Sequence, residues 1–220
     1  LNGYKGRLRI KVRLLELKSG MEFFKYGETE LDYLKKKDKK LGLAIERIGM
    51  IEREVDPDLF AALVKSIVSQ QISKKAAATV WGRMQEYFGE ITPQTISSAT
   101  VEEIRQRGLS MRKACYIKDI GEAVATGKLN ISEFPRLSDR EIVKRLSSLP
   151  GVGVWTAEML LIFSMERPDV VSWGDLGIRR GMMNLYGLQS LTKTQFERYK
   201  RRYSPYGSVA SLYLWALSLD

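Results

Sequence analysis

Between residues 7 and 14 the chain reads RLRIKVRL, with basic and apolar positions alternating strictly, which is the period of a strand with one wet face. From Asp32 onward the alternation gives way to apolar residues three and four apart, the period of amphipathic helices. The pattern predicts an all-α protein. Asp56-Pro57 reads as an N-cap followed by proline at the first helical position, opening a helix through LFAALVKSIVSQ. Thr100 with Glu103, Ser138 with Glu141 and Thr192 with Gln195 have the spacing of capping boxes. Gly89, Gly108, Gly127 and Gly187 each follow an amphipathic segment, where a helix would stop. There is no internal repeat and no low-complexity stretch.

The length of 220 residues suits one ordinary domain, or two small ones sharing a cleft. Lys and Arg number 36 against 26 Asp and Glu, a net charge of +10 that favours a polyanionic partner. Apolar residues at 44% and aromatics at 10% place that charge on a packed globule and not on a disordered tail. Six basic residues against Glu16 put half of the excess into residues 1–20. Two readings of this segment stand: a sheet-forming or phosphate-contacting arm, or an extension not native to the domain, since residue 1 is Leu and the first methionine is Met21. The expected organisation is a basic extension at 1–20 and a helical domain at 21–220. The run LKKKDKK at 34–40 reads as a solvated helix face or as an addition to a basic surface.

With no histidine and the single cysteine Cys115, the usual zinc sites, a disulfide, a four-cysteine iron–sulfur cluster and a Ser-His or Cys-His dyad are all excluded. Catalysis must rest on carboxylates, lysines or hydroxyls. No apolar run has membrane-spanning length and no secretory signal pattern is present, so a cytoplasmic location is expected.

The most informative stretch runs from Ser138 to Gly181. SDREIVKRLSSL is a capped amphipathic helix, PGVG a tight turn, and VWTAEMLLIFSM a second, strongly apolar helix, together a helix–hairpin–helix at about 139–165. Gly151 and Gly153 are expected to take positive φ and to let the backbone approach another molecule. The first amides of the following helix are unpaired and lie at the positive end of its dipole, which makes the turn an anion site. Phosphate held by backbone amides carries no sequence information, so the motif suits a protein that scans duplex. The plain alternative is an αα-corner whose glycines serve geometry alone.

Four blocks, SIVSQQIS at 66–73, LPGVGVWTAEMLL at 149–161, DVVSWGDLGIRRG at 169–181 and SPYGSVASLYLWAL at 204–217, resemble the helix-hairpin-helix DNA glycosylase superfamily. Within it they are similar to the bacterial 3-methyladenine DNA glycosylase II group. The resemblance covers residues 56–218 and implies a two-lobed all-α fold with the active cleft between the lobes. It places the catalytic aspartate at Asp175. By local sequence that residue also reads as a helix N-cap, and the two roles are compatible. Cleavage of an N-glycosidic bond makes a cation-like sugar that a carboxylate stabilises.

Bifunctional members carry a lysine nucleophile at the position held here by Trp155, so the resemblance implies a monofunctional hydrolase without a Schiff base and without an iron–sulfur cluster. It puts the wedge that fills the gap left by an extruded base at Gln71, with Gln70 beside it. From the residues alone, this polar pair reads equally as the end of a helix. Base-pocket residues by the same resemblance are Trp155, Trp173 and Trp215, whose faces suit an electron-poor base, and Met159, where the group often has an aromatic. Each tryptophan also reads as core. DNA-backbone contacts fall to Gly151, Gly153, Thr156 and Ser73, and the backbone oxygens of Ser147, Leu149 and Val152 are expected to hold a monovalent cation, sodium or potassium. The expected partner of this nucleoid-associated monomer is double-stranded DNA with a damaged base, with no membrane involved. A non-catalytic helix–hairpin–helix module, and the same fold acting on uracil, hypoxanthine or an oxidised purine, are the alternatives.

Overall fold

The structure is a computed structural model that describes residues 22–219. The alternating stretch at 7–14 and the expected extension at 1–20 lie outside the described residues. The described residues start with β1 (Glu22–Phe23), which pairs antiparallel with β2 (Glu54–Val55) in the register Glu22 to Val55 and Phe23 to Glu54. This two-stranded pair is absent from the all-α expectation. At two residues each, its strands are too short for a period of two to register in the sequence.

Helices α1 (Glu28–Lys37) and α2 (Lys39–Ile48) precede β2, and α3 (Leu59–Ser69), α4 (Lys74–Phe88), α5 (Pro93–Ser98), α6 (Val101–Arg105) and α7 (Met111–Ala125) follow it. A 3-10 turn at Ile131–Arg136 leads to α8 (Asp139–Ser147) and α9 (Val154–Phe163), the two helices of the hairpin. The chain continues with α10 (Leu176–Tyr186), α11 (Lys193–Tyr203) and α12 (Gly207–Leu217).

The capping boxes at Thr100, Ser138 and Thr192 all form, each hydroxyl accepting from the amide three residues on while the Glu or Gln side chain accepts from the cap's own amide. The expected cap at Asp56 does not. Helix α3 starts two residues later, with Asp58 accepting from the amide of Ala61 at 2.9 Å. Asp56 is held outside the helix instead, because its amide donates to the Phe163 carbonyl at 2.7 Å and its carboxylate meets Lys65 at 3.4 Å.

One group of helices, α3 to α7, is continuous in sequence, and α9 of the hairpin packs against α3. The other group is assembled from both ends of the described chain, with α1 and α2 packing on α10, α11 and α12. The two groups therefore do not follow one another along the chain. Tyrosine hydroxyls tie the two ends together: Tyr33 donates to the Ser204 carbonyl at 2.7 Å and Tyr213 to the Gly49 carbonyl at 2.9 Å. A single apolar cluster runs through both groups, with Leu34, Leu63, Ile67, Met84, Phe134, Tyr203 and Tyr213 fully buried. No helix among the described residues is long and apolar enough to cross a membrane.

Candidate active site

The hairpin is built by local geometry. Pro150 and Gly151 occupy the centre of a turn closed by the Val152 amide donating to the Leu149 carbonyl at 3.2 Å, and Gly151 sits at φ +78°. Two constraints fix glycine there. Besides the left-handed backbone, a Cβ at 151 would lie 2.4 Å from the ring of Tyr116 on α7. Gly153 differs from the expectation: it is extended at φ −91°, and a Cβ there would meet nothing within 4 Å of the protein. It is the N-cap of α9 and supplies no side chain to that helix's first amides, which leaves them open to an anion. Thr156 is buried in α9, and Ser73 is exposed, its hydroxyl accepting from the Ala76 amide to cap α4.

At the second residue of α9, Trp155 reaches the loop before α10. Its Nε1 donates to Asp175 Oδ2 at 2.8 Å. The other carboxylate oxygen, Oδ1, accepts from Trp215 Nε1 at 2.9 Å and from the Ile178 amide at 2.8 Å, the latter making Asp175 the N-cap of α10. The N-cap role read from the sequence is thus met, and the capping side chain is the buried carboxylate of the candidate site. Asp175 is 8% exposed and Trp155 is 49% exposed.

Trp215 is brought to the aspartate by two glycines on α10. A Cβ at Gly181 would lie 1.8 Å from the Leu214 carbonyl oxygen, and one at Gly177 would lie 2.8 Å from Trp215. Their lack of side chains lets α12 lie close on α10, so these two glycines of LGIRRG position a donor 40 residues from Asp175. The indole of Trp215 packs at 5.4 Å on Phe163, and the Arg53 guanidinium lies 4.9 Å from the Phe163 ring.

The four expected pocket residues divide. Trp155 and Trp215 converge on Asp175. Trp173 is engaged elsewhere, edge-on to Phe196 at 5.1 Å and stacked by the Arg179 guanidinium at 5.0 Å. Met159 is half-buried against the core.

A second acid in the site was missed from sequence. Glu158, one turn beyond Trp155, hydrogen-bonds the hydroxyl of fully buried Ser172. Burial pushes the Glu158 carboxyl above its ordinary range, and the charge of Asp175 adds to the rise against the lowering effects of Ser172 and Lys200. The signal was present in the sequence as one acidic residue in the otherwise apolar run VWTAEMLLIF.

The polar pair after α3 is split by the structure. The Gln70 amide donates to the Gly151 carbonyl at 2.8 Å, fastening the segment to the hairpin. Gln71 is exposed and sits at φ +57°, a left-handed conformation unusual for a residue with a side chain. Lys113 on α7, also missed, donates to the carbonyls of Val68 at 2.8 Å and Gln70 at 2.6 Å. It stands three and four residues from Tyr116 and Ile117, on the helix face that packs inward, and a lysine on that stripe was its legible signal.

Residues 64–205 match the HhH-GPD superfamily of base excision DNA repair proteins. The chain belongs to this superfamily. Among its relatives, DNA-3-methyladenine glycosylase 1 of Schizosaccharomyces pombe is 36% identical over 164 residues, 72% of each chain. The crystal structure of a DNA-3-methyladenine glycosidase from Bacillus halodurans matches with a TM-score of 0.81 at 35% identity, covering 90% of this chain and 93% of that one. A Schizosaccharomyces pombe 3-methyladenine DNA glycosylase in complex with abasic DNA matches with a TM-score of 0.72 at 31% identity, covering 85% of this chain and 95% of that one. The family match takes in the hairpin, the Gln70–Gln71 segment and Asp175; Trp215, which donates to the carboxylate, lies beyond it.

Proposed function

We propose that the protein is a monofunctional DNA glycosylase that hydrolyses the N-glycosidic bond of alkylated bases, of the 3-methyladenine and 7-methylguanine type, in duplex DNA for base excision repair. The observation that carries this reading is the buried carboxylate of Asp175, oriented by two indole N–H groups and a helix N-terminus. The relatives' names, and the abasic DNA bound by one of them, support the substrate class.

The chemistry follows from the charge. An alkylated purine already carries positive charge, so when its bond to C1′ breaks, the electron pair leaves with the base and the base departs neutral. The positive charge moves onto the sugar. Asp175, held by three donors, faces that charge without having to reorganise, which is how a preorganised carboxylate lowers such a barrier. Water then adds its oxygen to C1′ and releases a proton, leaving an abasic site. Trp155, in place of a lysine, offers no amine to form a Schiff base.

Gln71 is the wedge of this reading, and the Gly151–Gly153 turn with the start of α9 is the phosphate anchor. The carbonyl oxygens of Ser147, Leu149 and Val152 are hard, uncharged donors of a kind suited to sodium or potassium, and Leu149 keeps a lone pair beyond the one that accepts from Val152. The residues fit such an ion, which would supply positive charge between the turn and a DNA phosphate. Duplex binding in potassium against an equal concentration of tetramethylammonium tests it.

The deciding experiment measures base release from duplexes that each carry one lesion (7-methylguanine, hypoxanthine, uracil or 8-oxoguanine), with borohydride added in parallel. Release of the methylated base with no trapped protein–DNA adduct is expected. A trapped adduct, or no release from any duplex, overturns the reading.

A further inference from the structure

The loop that carries Gln71 does not hold its shape by itself. A side-chain-bearing residue at φ +57° is strained, and such strain persists only where the surroundings over-determine it. Here they do, from outside the loop. The Lys113 ammonium draws together the carbonyls of Val68 and Gln70, the two acceptors that flank the end of α3, immediately before the strained residue. The Gln70 side chain then fastens the same turn to the Gly151 carbonyl. Three residues along α7, the Tyr116 ring lies against Gly151. One helix thus braces both the loop and the hairpin turn, while the Lys113 amine is directed inward onto carbonyls that no side chain of the loop satisfies.

We propose that Lys113 is a positioning residue for base extrusion: through the Val68 and Gln70 carbonyls it holds Gln71 in its strained, outward presentation, and through Gln70 it couples that presentation to the phosphate-holding hairpin. Lys113 acts on the loop and does not touch the base. Burial, with a smaller effect from Arg112, lowers its pKa, in keeping with an amine turned away from solvent onto backbone oxygens. The consequence is mechanical. A hairpin seated on a phosphate fixes where Gln71 stands, so the wedge enters the duplex at a set distance from the anchored backbone.

The inference rests on Gln71 being the wedge, and the experiment separates the two. Single-turnover excision of 7-methylguanine is measured opposite cytosine, where the base is well stacked, and opposite adenine, where extrusion costs less. The proteins are the parent, Gln71→Ala, Lys113→Met, and the double variant. Lys113→Met is expected to slow the well-paired reaction about tenfold and the mismatched one much less, with no further loss in the Gln71→Ala background. The ratio of the two rates in one preparation does not depend on the folded fraction, so a merely destabilised variant leaves it unmoved. Gln70→Ala, which keeps Lys113 and cuts only the tie to Gly151, is expected to shift the ratio in the same direction. Equal loss on both duplexes, or the same loss from Lys113→Met with and without Gln71, overturns the positioning role alone. An inert Gln71→Ala overturns the wedge, and the positioning role with it.

Discussion

Asp38 and Asp175 are two buried aspartates built by the same local device. Each is the N-cap of a helix, Asp38 accepting from the Leu41 amide at 3.1 Å and Asp175 from the Ile178 amide at 2.8 Å. Each also accepts from aromatic side chains, Asp38 from the Tyr186 hydroxyl at 2.6 Å and Asp175 from two indoles. They differ in charge balance. Asp38 Oδ2 is 3.2 Å from the Arg202 guanidinium, whereas Asp175 makes no ion pair among the described residues. A carboxylate whose charge is already met serves to hold elements together, here the α1–α2 corner to α10 and α11. One held only by neutral donors beside a half-exposed tryptophan has no countercharge among the described residues, as the proposed stabilisation of a sugar cation requires.

The largest test of that contrast is Asp175→Asn. The amide keeps the cap to Ile178 but sets an N–H against the Trp155 N–H and removes the charge. We expect the single-turnover rate to fall by roughly 10² to 10³ or more while the thermal midpoint stays close to the parent's. An active, equally stable variant would leave Asp175 as a cap only and dissolve the contrast.

Asp38→Ala is expected to do the reverse. It deletes a cap, leaves the Tyr186 hydroxyl with Tyr203 as its remaining partner and takes the carboxylate from Arg202, a combined loss of about 2–4 kcal/mol in urea unfolding, with excision per folded molecule unchanged. A smaller effect belongs to Trp215→Phe, which preserves the packing on Phe163 and removes only the indole donor. We expect a rate lowered by about tenfold with little change in DNA affinity. A change in affinity alone would assign Trp215 to holding DNA.

The smallest effect concerns Glu158, the half-buried acid beside Asp175. An unfolded glutamate titrates near 4.5, and burial holds folded Glu158 above that. As pH rises through the interval the unfolded chain releases a proton that the folded one retains, so Glu158 lowers stability on going from acid to neutral pH. Glu158→Gln should therefore be more stable relative to the parent at pH 7 than at pH 4. Chemical denaturation at the two pH values measures the difference, and a gap that is constant with pH would refute it.

How far the site was legible follows from the reach of each interaction. The hairpin, Asp175 and Gln71 stand in contiguous motifs, and the three capping boxes close between residues three apart, where helix geometry alone decides the pairing. Between Asp56 and Asp58 the sequence offers two plausible caps. The choice was made by the Phe163 carbonyl and Lys65, which hold Asp56 out of the helix. Gly153 shows the opposite error: its spacing suggests a left-handed turn residue, yet one left-handed position, Gly151, closes the turn.

By itself, then, the amino-acid sequence determined the helical class, several helix ends and the hairpin with its open amides, and it singled out Asp175 as the candidate carboxylate. The tertiary structure decided what surrounds that carboxylate and what braces the Gln71 loop. The Trp155, Trp215 and Lys113 hydrogen bonds join residues 20, 40 and 43 apart, and Arg202 meets Asp38 across 164. Local pairings are set by the helical repeat, which the sequence carries residue by residue. These distant ones exist only because whole helices pack at particular distances, and those distances depend on features such as the missing side chain at Gly181, whose effect appears only once α12 is lying against it.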